Sequence, residues 1–139
     1  MIADTTYFDE EVRDEINEKL GKPYSFREIL KLGAIGSSRM IVDECSSEFY
    51  DWVNRNQDLT QASIELRPKG ILVVLAKSYH NLSWAIPYHF LNLVKTDFLR
   101  IHAEGHFLKL RLRKDQNKKF LIKLIQQRLK YLGGGKESL

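Results

Sequence analysis

The stretch 98–113 constrains this 139-residue chain more tightly than any other. A two-residue turn at Glu104-Gly105 pairs Ala103 with His106, Ile101 with Leu108 and Leu99 with Leu110 on one face. The same register sets Arg100 against Lys109, Phe98 against Arg111 and His102 against Phe107 on the other. Slipping by one residue would turn every side chain over. A single register that sends Leu99, Ile101, Leu108, Leu110 and Leu112 to one side therefore predicts an antiparallel hairpin with a buried aliphatic face.

Upstream, the same period of two recurs. Ile64 and Leu66 alternate with Glu65 and Arg67, and Pro68-Lys69-Gly70 supplies a tight turn. The returning stretch 71–76 is apolar at every position, so both of its faces need cover. A turn at Tyr79-His80-Asn81 leads into a third strand over 82–88, in which Pro87 marks a bend or an edge. A fourth strand follows over 90–95. With the hairpin these make six strands, and 39–42 reads as a further short one.

The remaining segments are helical. Val12, Ile16 and Leu20 recur every four positions before Gly21. Ser25 and Glu28 have capping-box spacing ahead of Ile29, Leu30 and Leu32, with Gly33 as the stop. A third helix starts near Ser46 or Ser47, places Phe49, Trp52 and Val53 on one side, and ends at Asn54 or Asn56. The last runs over 116–132 with Asp115 as N-cap. Its apolar residues spread over an arc of about 200° at 100° per residue, opposite Lys119, Lys123 and Lys130. Residues 1–61 thus read as a helical extension packed on a core at 62–132, and 133–139 as a flexible tail.

Composition narrows the class of protein. The chain is 43% hydrophobic and 29% charged, the balance of an ordinary globular protein. No apolar run approaches the roughly 20 residues that span a bilayer. The acidic N-terminus lacks the apolar segment of a signal peptide. The single cysteine, Cys45, excludes an internal disulfide, and the whole favours the cytoplasm. The net charge of +4 conceals a division. Residues 1–62 hold 7 basic against 13 acidic side chains, and residues 63–139 hold 15 against 5. Either the basic half meets an anionic partner, or the two halves attract each other and the acidic helices cover Ile71, Val73 or Leu75.

A run of antiparallel strands closed by one amphipathic helix, together with Trp84-Ala85-Ile86-Pro87-Tyr88 followed by Phe90 and Leu91, resembles a bacterial pleckstrin-homology-like domain over residues 62–132. The resemblance implies an α+β fold: a meander of seven strands in two bent sheets, forming a partly open barrel plugged by the terminal helix, with 39–42 as the seventh strand. It also implies an interaction or membrane-targeting module rather than an enzyme. In lipid-binding relatives the phosphate-reading cations cluster at the first strand-to-strand loop. Here that loop offers only Arg67 and Lys69, which argues against specific phosphoinositide recognition.

Two surfaces stand out as candidate sites. Arg100, Lys109, Arg111 and Arg113 form a basic stripe interleaved with Phe98, His102 and Phe107, and extended by Lys114, Lys118 and Lys119. Such a stripe either binds nucleic acid or an anionic membrane surface, or pairs with the acidic half. Ile122 and Leu129, or Leu132, exceed what a capping helix needs to bury and can meet a second chain or the N-terminal helices. Phe49, Tyr50, Trp52 and Trp84 read as core.

Other motifs point away from catalysis. Among the four histidines, His102 and His106 face opposite ways, which argues against a metal site. Asp43-Glu44 beside Cys45 would raise its thiol pKa. The stretch 32–38 has glycines but no P-loop lysine. No cofactor is implied. The leading expectation is a non-catalytic binding or assembly module acting on a protein partner or as a homodimer. Nucleic-acid or anionic-membrane binding is the alternative. A small enzyme with a cleft between the halves, near His80, His89 or His106, is the third.

Overall fold

The computed structural model describes residues 1–53 and 59–133, the side chains of Asp51 and Trp52 excepted. In chain order the elements begin with β1 (Ile2–Asp4), α1 (Glu10–Leu20), α2 (Phe26–Leu32) and β2 (Met40–Cys45), followed by a 3-10 turn at Ser47–Phe49 and α3 (Tyr50–Val53). β3 (Gln61–Arg67), β4 (Gly70–Lys77) and β5 (His80–Pro87) come next, then a 3-10 turn at Tyr88–Phe90. β6 (Asn92–Lys95), β7 (Phe98–Ala103), β8 (His106–Arg111) and α4 (Lys118–Gly133) complete the chain. The expectations placed on Trp52, Asn54, Asn56 and residues 134–139 lie outside the described residues.

All strand pairs are antiparallel, in the order β1-β5-β4-β3-β2-β8-β7-β6, and the sheet does not close on itself. Sequence neighbours pair within β3-β4-β5 and within β6-β7-β8. β2 joins these two meanders, pairing Met40 with Ala62 on one side and Val42 with Leu110 on the other. Between Val42 and Glu44 the register with β8 slips, so Asp43 is the extra residue of a bulge. A bulge bends its strand and adds twist, which lets β2 serve both meanders.

The β7–β8 hairpin has the register read from its sequence, from Phe98 opposite Arg111 to Ala103 opposite His106. Leu99, Ile101, Leu108 and Leu110 are buried, and Leu112 packs on the same core. Trp84, Ile86 and Tyr88 also point inward, with Trp84 5.2 Å from Phe49 between ring centroids. The Tyr88 hydroxyl donates to the Arg67 carbonyl at 3.2 Å, and burial pushes its pKa up. α4 covers one end of this core with Phe120, Leu121 and Leu124. Tyr50, expected in the core with Phe49, is exposed.

β4 is covered on both faces, as its unbroken apolar sequence requires, but the assignment of faces differs from expectation. Ile71, Val73 and Leu75 point into the main core, while Leu72 packs with Ala85 under Ile16 and Leu20 of α1, flanked by Val74. Period-two alternation makes these two sets mutually exclusive. α1 seats deeply at one point: a Cβ on Gly70 would lie 2.2 Å from the Ile86 carbonyl and 2.8 Å from Leu20 Cδ2. Its last turn is fastened to the sheet where the Lys69 amide donates to the Leu20 carbonyl at 2.8 Å and Arg67 Nη1 donates to Gly21 O at 2.9 Å. A cation at a helix C-terminus also complements the helix dipole.

α2 has the capping box read from Ser25 and Glu28, yet buries no residue fully. At the edge of the sheet, β1 pairs with β5, setting Ile2 against Trp84. The start of α4 moves to Lys118: its first helical bond runs from the Leu121 amide to the Asn117 carbonyl at 2.8 Å, which leaves Asp115, at a φ of +61°, two residues ahead of the cap position. If α1 is docked as described, Leu20→Ala costs about 2–4 kcal/mol of unfolding free energy, measured by urea denaturation. Gly70→Ala lowers the midpoint as well, since a backbone carbonyl cannot yield. Unchanged midpoints in both variants would mean that α1 does not pack here.

Candidate functional site

The basic stripe lies on the outer face of β7 and β8, where the register carries it, but β2 divides it. Asp43, displaced by the bulge, accepts a hydrogen bond from Arg111 Nε at 3.1 Å and lies 3.4 Å from Lys109 Nζ. Glu44 stands 3.7 Å from the same ammonium. Lys109 also sits over the Phe98 ring, 4.1 Å from its centroid, a cation–π contact. The hydrogen bond from Arg111, and then Lys109, hold the Asp43 carboxyl below its ordinary pKa. The acidic partners thus come from β2 and not from the acidic first helix. Arg13, for its part, pairs with Glu10 and Asp14 of α1 itself. Arg100 and Arg113 are exposed and have no ion pair among the described residues.

Beyond Arg113 the stripe opens into a cleft of about 570 Å³ between the β6–β7 turn and the β8–α4 junction. Lys95, Arg113, Lys114 and Lys118 line it, against Asp97 and Asp115. The junction is held in shape by the chain ahead of β2. Gln116 Nε2 donates to the Arg39 carbonyl at 2.9 Å, and Asn117 Oδ1 accepts from the Ser38 amide at 2.8 Å. Asp115 and Asn117 both adopt positive φ there, a conformation that costs energy in a non-glycine residue.

α4 comes near β6 at both ends of that strand. Lys118 shares the cleft with Lys95, and ten residues further on Arg128 Nη2 donates to the Leu91 carbonyl at 2.8 Å. The Tyr131 ring lies tilted against Tyr88 and edge-on to His89, with centroids 5.5 and 5.6 Å away. On the helix's other flank Lys123 Nζ donates to the Ala34 carbonyl at 2.8 Å. At 100° per residue, Ile125, Leu129 and Ile122 continue round the helix past Arg128, away from Lys123. Ile122 is 49%, Ile125 50% and Leu129 60% exposed, whereas Leu132 is half-buried against the core. The first helix, seated on β4 and β5, does not cover these residues. β6 is the outermost strand at its end of the sheet, as β1 is at the other, and its far edge is unpaired among the described residues.

The other candidates have structural surroundings. His106 lies at the rim with Nδ1 2.7 Å from Glu48 Oε1, and His102 stacks on Phe107 at 5.6 Å on the opposite face. Among the described residues no three His, Cys, Asp or Glu side chains converge to hold a metal ion. The Cys45 thiol is buried, and burial raises its pKa rather than the adjacent carboxylates. Gly36 bridges to Glu65, and Ser37 exchanges bonds with Ile64, so this loop is stitched to β3. No helix among the described residues is long and apolar enough to cross a membrane.

Sequence reasoning found the cations and the surplus apolar helix face. It missed Asp43 and Glu44 as partners and the open β6 edge, because both depend on the order of strands. A depressed carboxylate stabilises the fold above its unfolded pKa, and this contribution is lost as pH falls through the folded value. Asp43→Asn is therefore expected to flatten the loss of thermal stability between about pH 5 and pH 2. Reversing Lys109 and Arg111 to glutamate sets like charges beside Asp43 and lowers the melting temperature at neutral pH. Thermal melts across pH check both.

No family model, curated protein or solved structure matches the chain.

Proposed function

We propose that this chain is a non-catalytic, cytoplasmic interaction module with a pleckstrin-homology-like core, which captures an extended segment of a partner protein along β6 beside α4. The seven strands β2–β8, divided between two meanders and followed by α4, support the family reading. So does the burial of Trp84, Ile86 and Tyr88 from the aromatic motif. The binding mode rests on two features together: the open edge of β6, and the uncovered stripe Ile122, Ile125 and Leu129 on the helix that comes near both ends of that strand.

An unpaired edge presents backbone N–H and C=O groups that an added strand satisfies. Alternate side chains of that strand then lie toward α4, and apolar ones among them would cover Ile125 and Leu129. Lys95 and Lys118 at the end of the groove favour acidic residues in the ligand. The cleft also supports a second reading, in which Lys95, Arg113, Lys114 and Lys118, with Arg100, bind nucleic acid or an anionic membrane surface.

Selection of peptides from a displayed random library against the full chain separates the two. The expected result is ligands with alternating apolar residues and an acidic end, whose binding moves the backbone resonances of residues 92–95. Ile125→Asp with Leu129→Asp weakens them at least about tenfold, while exposed substitutions of this kind leave the fold intact. Failure to select such peptides, or resonance changes elsewhere, would overturn this mode. Retention on heparin or anionic vesicles that falls steeply with salt and is lost in Arg100→Glu/Arg113→Glu would favour the second reading. Self-association through the same stripe would identify the partner strand as a second copy of the chain.

A further inference from the structure

On the opposite side of the sheet, the segment 5–9 leaves β1 and crosses to the start of α1, and a cleft of about 230 Å³ remains between them and the strands. Its lining is mainly apolar: Val12 and Ile16 from the helix, Leu72 from β4, and the rings of Tyr7 and Phe8. Tyr7 and Phe8 are nonetheless 82% and 77% exposed. Both rings are thus largely exposed beside the apolar cleft that they line, with the Arg13 guanidinium 5.5 Å over the Phe8 ring, and an occupant would cover more of them.

Three charged residues line this cleft: Asp9, Arg13 and Arg67. Arg67, buried at the end of β3, lines it. Its Nε donates to Glu65, and its Nη1 donates to Asn17 Oδ1 at 3.0 Å and to Gly21 O at 2.9 Å. Nη2 has no partner among the described residues, so two of the five guanidinium N–H groups remain free to donate. Arg67 is itself ion-paired with Glu65, and the other charged residues here are committed as well. Asp9 caps α1 by accepting from the amides of Glu11 and Val12, and Arg13 pairs with Glu10 and Asp14. Ser83 adds a hydroxyl hydrogen-bonded to Thr5 at 2.7 Å.

We propose that this cleft is a binding site for a small apolar carboxylic acid, its chain or ring lying on Val12, Ile16 and Leu72 between the Tyr7 and Phe8 rings and its carboxylate taken by Arg67. The cleft has room for about eight waters at about 30 Å³ each, so an acid as small as hexanoate or benzoate fits it. A planar guanidinium with two free N–H groups suits a carboxylate better than a neutral hydroxyl, because charge-assisted hydrogen bonds are about twice as strong. The site is separate from the β6–α4 groove and does not depend on the peptide-binding reading.

The test is a titration of the full chain followed by backbone amide NMR, with hexanoate, benzoate, hexanol and hexylammonium as probes. The expected result is saturable shifts for the two acids at millimolar concentrations, centred on residues 5–17, 67, 72 and 83. Affinity for hexanol should be at least about tenfold lower, and hexylammonium should not bind. Val12→Phe adds bulk to the apolar lining and leaves Arg67 in the chain, and it should abolish the shifts while the rest of the spectrum stays unchanged. Equal binding of hexanol and hexanoate would overturn the role of Arg67, and absence of saturable shifts with either acid would overturn the site. Both comparisons use the parent chain, so they hold whether or not the variant folds.

Discussion

The double pairing of β2 is the constraint on which the rest of the structure depends. Without it, β3-β4-β5 and β6-β7-β8 would be two three-stranded meanders, each with an unpaired edge next to the other. β2 satisfies β3 with its first residues and β8 with its last, and the bulge at Asp43 bends it between the two tasks. The inward side chains Met40, Val42 and Cys45 then complete one core with Leu108, Leu110, Ala62 and Ile64. A bulge leaves its extra residue outside the ladder. Here that residue is an aspartate placed between Arg111 and Lys109, so the strand that joins the sheets also neutralises part of their outer face.

The contrast between an acidic first half and a basic second half therefore resolves locally. α1 docks through Ile16 and Leu20, helped by Arg67 at its C-terminus, while its acidic residues stay largely in solvent. The charges left over on β6, at Lys95, and on the β8–α4 junction gather at one cleft, while Arg100 stays exposed on β7. The two candidate surfaces consequently lie on different sides of the sheet: an open strand edge with an apolar helix face and cations at its end, and a small apolar cleft with a buried arginine under α1.

How far the sequence foretold this follows from the range of each interaction. The hairpin was legible to the register because Leu99, Ile101, Leu108 and Leu110 alternate with polar residues across a local turn. β4 was legible as doubly covered, but 71–76 is apolar at both parities, so nothing local could say that Leu72 rather than Ile71 meets the helix. β1 is a three-residue strand whose pairing with β5 spans most of the chain, and no periodicity announces it. The helix cap at Asp115 failed because the junction is shaped by Ser38 and Arg39 from far upstream. For the same reason the stripe's cations were found and Asp43 was not. The surplus apolar face of α4 was legible from the width of its arc, yet the strand edge beside it followed only from the sheet order.

Native-state hydrogen exchange tests most directly whether β2 binds the two meanders into one unit. If it does, slowly exchanging amides of β3 and β4 and those of β7 and β8 open with the same free energy and the same denaturant dependence, as one cooperative block. Amides of β2 then share that value. Two separate blocks, with β2 following only one of them, would contradict the account.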